Sequence, residues 1–238
     1  MPVMSSEHQL YLKKEKHKKI RNISLQLGIL VGLTVLWEIF AQIGWLDPFI
    51  FSSPSRIAKC FLNLWEEGEY LQHIWITLSE ALIGMFLGVV MGLAAAILLW
   101  ASDSLAEIMD PYLVVFNAMP KIALGPVIIV WAGAGMGSII VMTLLISVIV
   151  TVMGVLSSFR NTDSEKIMLM KSFGANKYQI FTKVVFPSNI PALISALKIN
   201  VGMTWVGVIM GEYLVSKAGL GYLIVYGGQV FKLDLVMT

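Results

Sequence analysis

The chain carries little charge and almost no reactive sulfur. Of its 238 residues, 13% are Asp, Glu, Lys or Arg, against roughly 25% in an ordinary soluble domain. Its one cysteine, Cys60, permits no internal disulfide and has no metal-ligand spacing around it. His8, His17 and His73 are scattered, and neither an HExxH motif nor a Cys/His cluster occurs. The absence of a GxxxxGK[ST] phosphate loop excludes nucleotide hydrolysis by that route, and no serine sits in a nucleophile elbow. No long internal repeat, low-complexity tract or soluble domain is visible. Enzymatic chemistry is left without a constellation to perform it.

What the chain has is apolar surface: 57% hydrophobic residues and a mean hydropathy of +0.79. A soluble core of this length cannot hide so much, whereas a bilayer can. A crossing helix needs about 20 apolar residues, and candidates lie at 23–45, 74–100, 105–131, 137–157 and 190–212. The first follows a basic run, but it exceeds the ~7–15 residues of a signal-peptide core and no A-x-A site follows, so it reads as an uncleaved span. In the second, Gly84, Gly88 and Gly92 recur every four residues and let another backbone approach closely. The third is interrupted by Pro120 and Pro126, a break tolerated where a helix faces protein or a watery cavity. After Gly227-Gly228, the segment QVFKLDLVMT covers only ~15 Å of a ~30 Å core and is read as a truncated sixth span. The expected fold is all-α: a polytopic transmembrane bundle of five full spans plus a truncated sixth.

Charge sets the expected direction. Lys13, Lys14, Lys16, Lys18, Lys19 and Arg21 precede the first span, and Arg160, Lys166, Lys171, Lys177 and Lys183 occupy the polar insert 159–187. The excess of Lys and Arg on the cytosolic side places both clusters inside and 46–73 outside, where Arg56 and Lys59 are outnumbered by Asp47, Glu66, Glu67 and Glu69. The chain is therefore divided into a basic cytosolic tail, 1–22, and a membrane domain, 23–238. Within 54–70, Ile57, Phe61, Leu64 and Trp65 fall on one helical face, predicting a short amphipathic helix at the outer surface that is either a packed cap or a docking site.

Ionisable residues in or near spans are expensive and so informative. Glu38 and Glu80 read equally as hydrogen-bond partners between helices or as lining of a pathway, and Glu212 at the outer rim reads equally as solvated. Lys121 follows the proline break, and Lys198 has the position to snorkel toward headgroups. The insert is different: Ile167, Met168, Met170, Phe173, Tyr178 and Phe181 surround Gly174-Ala175-Asn176. That predicts two short helices meeting at a glycine, with Pro187 and Pro191 fixing re-entry to the membrane. A solvated loop has no use for so many large apolar side chains, so a peripheral partner is expected to cover them.

These residues resemble the membrane-spanning permease subunits of ATP-binding-cassette importers. The family's cytosolic signature is EAA, three residues, G, nine residues, I, one residue, LP. Gly174 takes the glycine place, Val184 the isoleucine place and Phe186-Pro187 the final pair, while Met168, Leu169 and Met170 stand where EAA would be. Met119-Pro120-Lys121-Ile122-Ala123-Leu124-Gly125-Pro126, then Trp131-Ala132-Gly133-Ala134-Gly135, is similar to the pattern of the nitrate/sulfonate/taurine/bicarbonate branch, as are Lys198, Trp205, Glu212 and Gly219-Leu220-Gly221-Tyr222. The resemblance implies the type I importer permease fold in the cell membrane, multi-pass, with a cytosolic N-terminus. It implies ABC ATPase subunits that hydrolyse ATP, so that this chain binds no cofactor itself. It also implies an extracytoplasmic substrate-binding protein, a second permease subunit, expected to be identical, and surrounding lipid, with no nucleic acid. The ATPase contact would be Phe173, Gly174, Ala175, Asn176, Tyr178 and Pro187, and the pathway lining Asn117, Lys121, Asn200, Thr204 and Trp205. The implied substrate is a small solute: a sulfonate, taurine or nitrate-like anion, or a compound such as a thiamine-precursor pyrimidine. The rival reading is a secondary transporter driven by an ion gradient, which predicts inverted repeats and intramembrane carboxylate or histidine chains.

Overall fold

The computed structural model describes residues 6–238. Residues 1–5 and the side chains of residues 6–11, Lys13 and Glu69 lie outside the described residues. All described elements are helical: α1 (Ser6–Ile43), α2 (Pro48–Phe51), α3 (Pro54–Glu67), α4 (Glu69–Ala101), α5 (Asp103–Ala118), α6 (Gly125–Ala132), α7 (Met136–Arg160), α8 (Ser164–Ser172), α9 (Lys177–Ile180), α10 (Phe186–Ser188), α11 (Ile190–Val215), α12 (Leu220–Gln229) and α13 (Leu233–Met237). A 3₁₀ turn, Lys121–Leu124, precedes α6, and a wide π turn, Phe181–Val185, joins α9 to α10. The chain divides into two compact units, one of residues 1–67 with 227–238, the other of residues 68–226.

In the first unit, Lys14–Ile43 of α1 is long and apolar enough to cross a membrane. Its Glu38 reaches the start of α3. Oε2 accepts from Ser55 N at 3.0 Å, and Oε1 accepts from Ser55 Oγ at 2.8 Å and from Gln42 Nε2 at 2.9 Å. A carboxylate at a helix N-terminus satisfies donors that the helix itself leaves free, so Glu38 is a helix cap. The predicted amphipathic helix is α3. The segment expected to begin a sixth span instead turns at Phe231, φ 56°, and forms the five-residue α13. Asp234 accepts from Ser52 Oγ at 2.7 Å and from Arg56 Nε and Nη2 at 3.1 and 2.8 Å. A two-toothed guanidinium–carboxylate pair is the strong form of such a bond, and it holds α13 against α3.

In the second unit, α4, α7 and α11 pack together through small residues. A Cβ at Gly84 would come within 2.6 Å of Thr143 Cγ2, and one at Gly92 within 2.5 Å of Thr151 Cβ; Gly88 sits against Ser147. From the other side, Gly207 and Gly211 leave room for the backbone of α7, where a Cβ would meet Thr143 Cα at 2.8 Å and Ile139 Cα at 3.0 Å. Helix α7 is therefore the middle of a sandwich, with glycines receiving it on both sides, the close packing that lipid-embedded helices use in place of a hydrophobic drive.

Three helices in this unit have the length and hydropathy of spans, Tyr70–Ala101, Met136–Arg160 and Ile190–Val215, and the pair Asp103–Ala118 with Lys121–Ala132 passes the same test while bending by 87°. With α1, that makes four continuous candidates and one bent pair, the bend falling in the third expected span, where prolines were expected to interrupt it. The bend falls at Pro120 alone. Pro126 lies in the first turn of α6, where it has no intrahelical N–H bond to lose, so only one of the two prolines interrupts the helix.

Candidate functional site

The insert is built from its caps upward. Asp163 Oδ1 accepts from Glu165 N at 3.0 Å to start α8. The helix closes with Gly174 N donating to Lys171 O and Ala175 N to Met170 O, at 2.9 and 3.0 Å. Gly174 has φ 76° and open space around it; the position needs glycine for its backbone, not for lack of room. Asn176 then opens α9 with a reciprocal cap: its Oδ1 accepts from Gln179 N and Gln179 Oε1 accepts from Asn176 N, both at 2.9 Å. Two short helices do meet at the glycine.

One side of this unit is anchored. Ile180 and Val185 are buried, and the Phe181 ring lies 4.9 Å from Trp100, 5.5 Å from Phe159 and 5.9 Å from Phe186. Lys177 Nζ stands 5.7 Å above the Trp100 ring and 3.5 Å from Asp103 Oδ2. Asn189 Nδ2 donates to Thr162 Oγ1 at 2.7 Å and to Val185 O at 2.8 Å, tying the start of the insert to its end. The other side is bare. Phe173 is 78% exposed, Tyr178 75% and Met168 68%. Ala175 is half-buried, while Gly174, Asn176 and Pro187 are exposed. The anchoring residues Trp100 and Asp103 were not singled out from the sequence; a tryptophan ending a span just before an aspartate was the signal for them.

The expected pathway residues separate into two groups. Asn117 is exposed and Lys121 half-buried, and they meet at the bend, where Lys121 Nζ donates to Asn117 O at 3.0 Å. That bond satisfies a carbonyl at the break. Trp205 is exposed on α11 at 38%. Asn200 and Thr204 are buried inside the subunit, with 0% and 1% exposure. Asn200 Oδ1 accepts from Ser147 Oγ at 2.7 Å, and its Nδ2 donates to Thr151 Oγ1 at 2.6 Å. These contacts make Asn200 a clasp between α11 and α7.

A second polar cluster escaped the sequence reading. Glu212, expected at a rim and open to solvation, is only 1% exposed. Its Oε1 accepts from Thr77 Oγ1 and its Oε2 from Gly221 N, both at 2.6 Å. Thr77 Oγ1 accepts in turn from Leu220 N at 2.8 Å, and His73 Nδ1 from Gly219 N at 2.9 Å. Three side chains from α4 and α11 thus take up the free N–H groups that open α12. A Cβ at Gly219 would collide with the Glu212 carboxyl. Glu80, also buried, lies within hydrogen-bonding reach of Glu212, and its Oε2 has no partner. Gly219-Leu220-Gly221 was the sequence signal for a close approach here.

This helical arrangement has relatives. Residues 84–237 match the family described as binding-protein-dependent transport system inner membrane component. The chain belongs to this family. It is 33% identical to a probable ABC transporter permease protein of Haemophilus influenzae, over 88% of this chain and 85% of that one. Its identity is 30% to the formylaminopyrimidine transport permease protein ThiX of Halalkalibacterium halodurans, over 80% and 75% of the two chains, and 23% to the taurine transport system permease protein TauC of Escherichia coli, over 92% and 81%. Among solved structures, a chain of the MetNI methionine ABC transporter in an inward-facing conformation shares the fold at a TM-score of 0.63 and 22% identity, covering 72% of this chain and 88% of that one. The permease is a membrane-embedded transport component, and its family is not an enzyme class.

Proposed function

We propose that this permease forms the translocation pathway of an ATP-driven importer and receives its ATPase on the bare face of the insert. The observation that carries the reading is the two-sidedness of 164–180. Phe181 and Ile180 lock the segment into the aromatic cluster, while Phe173 and Tyr178 project from an inflexible cap–glycine–cap turn into open space. Large exposed aromatics on a fixed support are what a protein interface uses as anchors. The ATPase subunits would bind and hydrolyse ATP; nothing in this chain is required to hold the nucleotide.

In this reading, the insert and the tail 1–22 face the cytosol, and a binding protein delivers a small solute on the opposite side. A second permease subunit, taken to be a second copy, completes the pathway. The bend supplies its lining through Asn117 and Lys121, and α11 through Trp205; the burial of Asn200 and Thr204 favours packing for both. The substrate class follows the named relatives, a sulfonate or taurine-like anion or a formylaminopyrimidine-like heterocycle. The test is co-purification with a candidate ABC ATPase, comparing wild type with Gly174→Asp. Aspartate strains φ 76° and puts charge in the middle of the contact, so ATPase recovery should fall by at least about tenfold while the permease stays monodisperse. Unchanged recovery would remove the insert from the coupling role and return the ion-gradient transporter to consideration.

A further inference from the structure

In the first unit, the start of α1 carries a dense run of cations. Lys14, Lys16, Lys18, Lys19 and Arg21 are all exposed, and Glu15 is the only acid among them. The helix does not break between them and the apolar stretch: α1 is continuous from Ser6 to Ile43. Over Ile23, Leu25, Leu27 and Ile29 the apolar side chains are 45–64% exposed, as lipid-facing residues would be. The five cations therefore stand on a stiff extension of a membrane span, not on a loose tail.

Their arrangement around the axis discriminates between partners. At about 100° per residue, Lys14, Lys18 and Arg21 follow the i, i+4, i+7 spacing of one face, and Lys16 and Lys19 fall on the opposite one. A folded protein partner covers a single face of a helix. Headgroups surround it. From Lys14 to Arg21 the rise is ~10 Å, about one Debye length at physiological salt, so the whole set stays within reach of a charged membrane surface.

We propose that residues 14–21 form a collar that binds the phosphate headgroups of anionic phospholipids on all sides of α1. The inference rests on α1 crossing the bilayer and on nothing in the ATPase reading, so the two fail separately. Binding draws on charge attraction at the surface and fixes the depth of the helix at the point where its apolar stretch begins.

The test uses the whole permease in detergent, with native mass spectrometry counting retained phosphatidylglycerol and phosphatidylcholine. Wild type should retain phosphatidylglycerol about tenfold better than phosphatidylcholine, and raising salt should erode the difference. A variant with all five cations changed to Gln should lose the preference, and one with the four lysines changed to Arg should keep it. Each half-collar variant, K14Q/K18Q/R21Q or K16Q/K19Q, should lose part of it. Equal retention of the two lipids by wild type overturns the proposal, as does a preference insensitive to salt or to the five-Gln change. Loss of the whole effect from one face alone also overturns it, in favour of a single-faced protein contact. If the five-Gln variant fails to insert, the salt titration and the half-collar variants still decide.

Discussion

Single polar atoms do the specifying inside the second unit. Asn200 makes two bonds of 2.6–2.7 Å across to α7, and such bonds between membrane helices are worth about 0.6 kcal/mol on average and up to about 1.7. Asn200→Ala should therefore cost about 1–3 kcal/mol, read as a lowered unfolding midpoint in detergent, while Ser195→Ala, exposed on the same helix and bonded only to Pro191 O, should change little. Glu212 is the corresponding residue for α12. Replacing it with Gln keeps the shape but removes one acceptor oxygen from a carboxyl that uses both. Faster amide exchange at Gly219–Gly221 is expected, with α7 unaffected; equal exchange in the two proteins would show that the carboxyl is not what holds α12. Neither role was legible from residue type. An isolated Asn or Glu in an apolar run says only that a partner must exist. Which partner depends on helix rotation and crossing, and these are set by the glycines of α4 and α11 that receive α7.

At the scale of elements, the glycine notches of α4 predict a sharp contrast. Gly88→Val inserts a branched side chain where Ser147 already stands, an overpacking that costs about 1–3 kcal/mol or more when backbone has to move. Gly28→Val, with nothing within 4 Å, should leave the midpoint unchanged, so a parallel thermal unfolding of the two variants checks the assignment. On the insert, Phe173→Ala with Tyr178→Ala should abolish most ATPase recovery without moving the midpoint, because both side chains are exposed; a fall in stability instead would give these rings a structural task. The helices themselves were largely readable from apolar run length, and the glycine between α8 and α9 from its surroundings. The interruption of the third span was readable too, but not its 87° angle or which proline makes it, because a proline in a span kinks, breaks or merely starts the next helix according to where the preceding turn ends. Pro111 stands inside a continuous α5 and Pro126 at the start of α6, beside the break at Pro120. The contact at the end of the chain was not legible either: Asp234 pairs with Arg56, 178 residues earlier, and composition does not reveal a partner at that distance.

For the whole molecule, the basic clusters at 14–21 and 160–183 are expected on one side of the membrane. Cysteines placed at Ser172 and Ser5 in a Cys60→Ser background should react with an impermeant maleimide only in inside-out vesicles; labelling of either in right-side-out vesicles would reverse the orientation. The family was legible because its motif lies in one continuous stretch, Gly174 to Pro187, whereas the clasp of Asn200 joins residues 49 and 53 positions apart. The glycine–hydroxyl seating of α4 on α7 also limits how the molecule can move. Thr143, Ser147 and Thr151 occupy notches one turn apart, so sliding these helices past each other means lifting three side chains at once and dropping them ~6 Å further on. Like a toothed rack, the contact resists small displacements and offers no resting place between teeth. In the proposed importer, strokes of an ångström or two would be taken up at the bend between α5 and α6, with α4, α7 and α11 travelling together as the chassis.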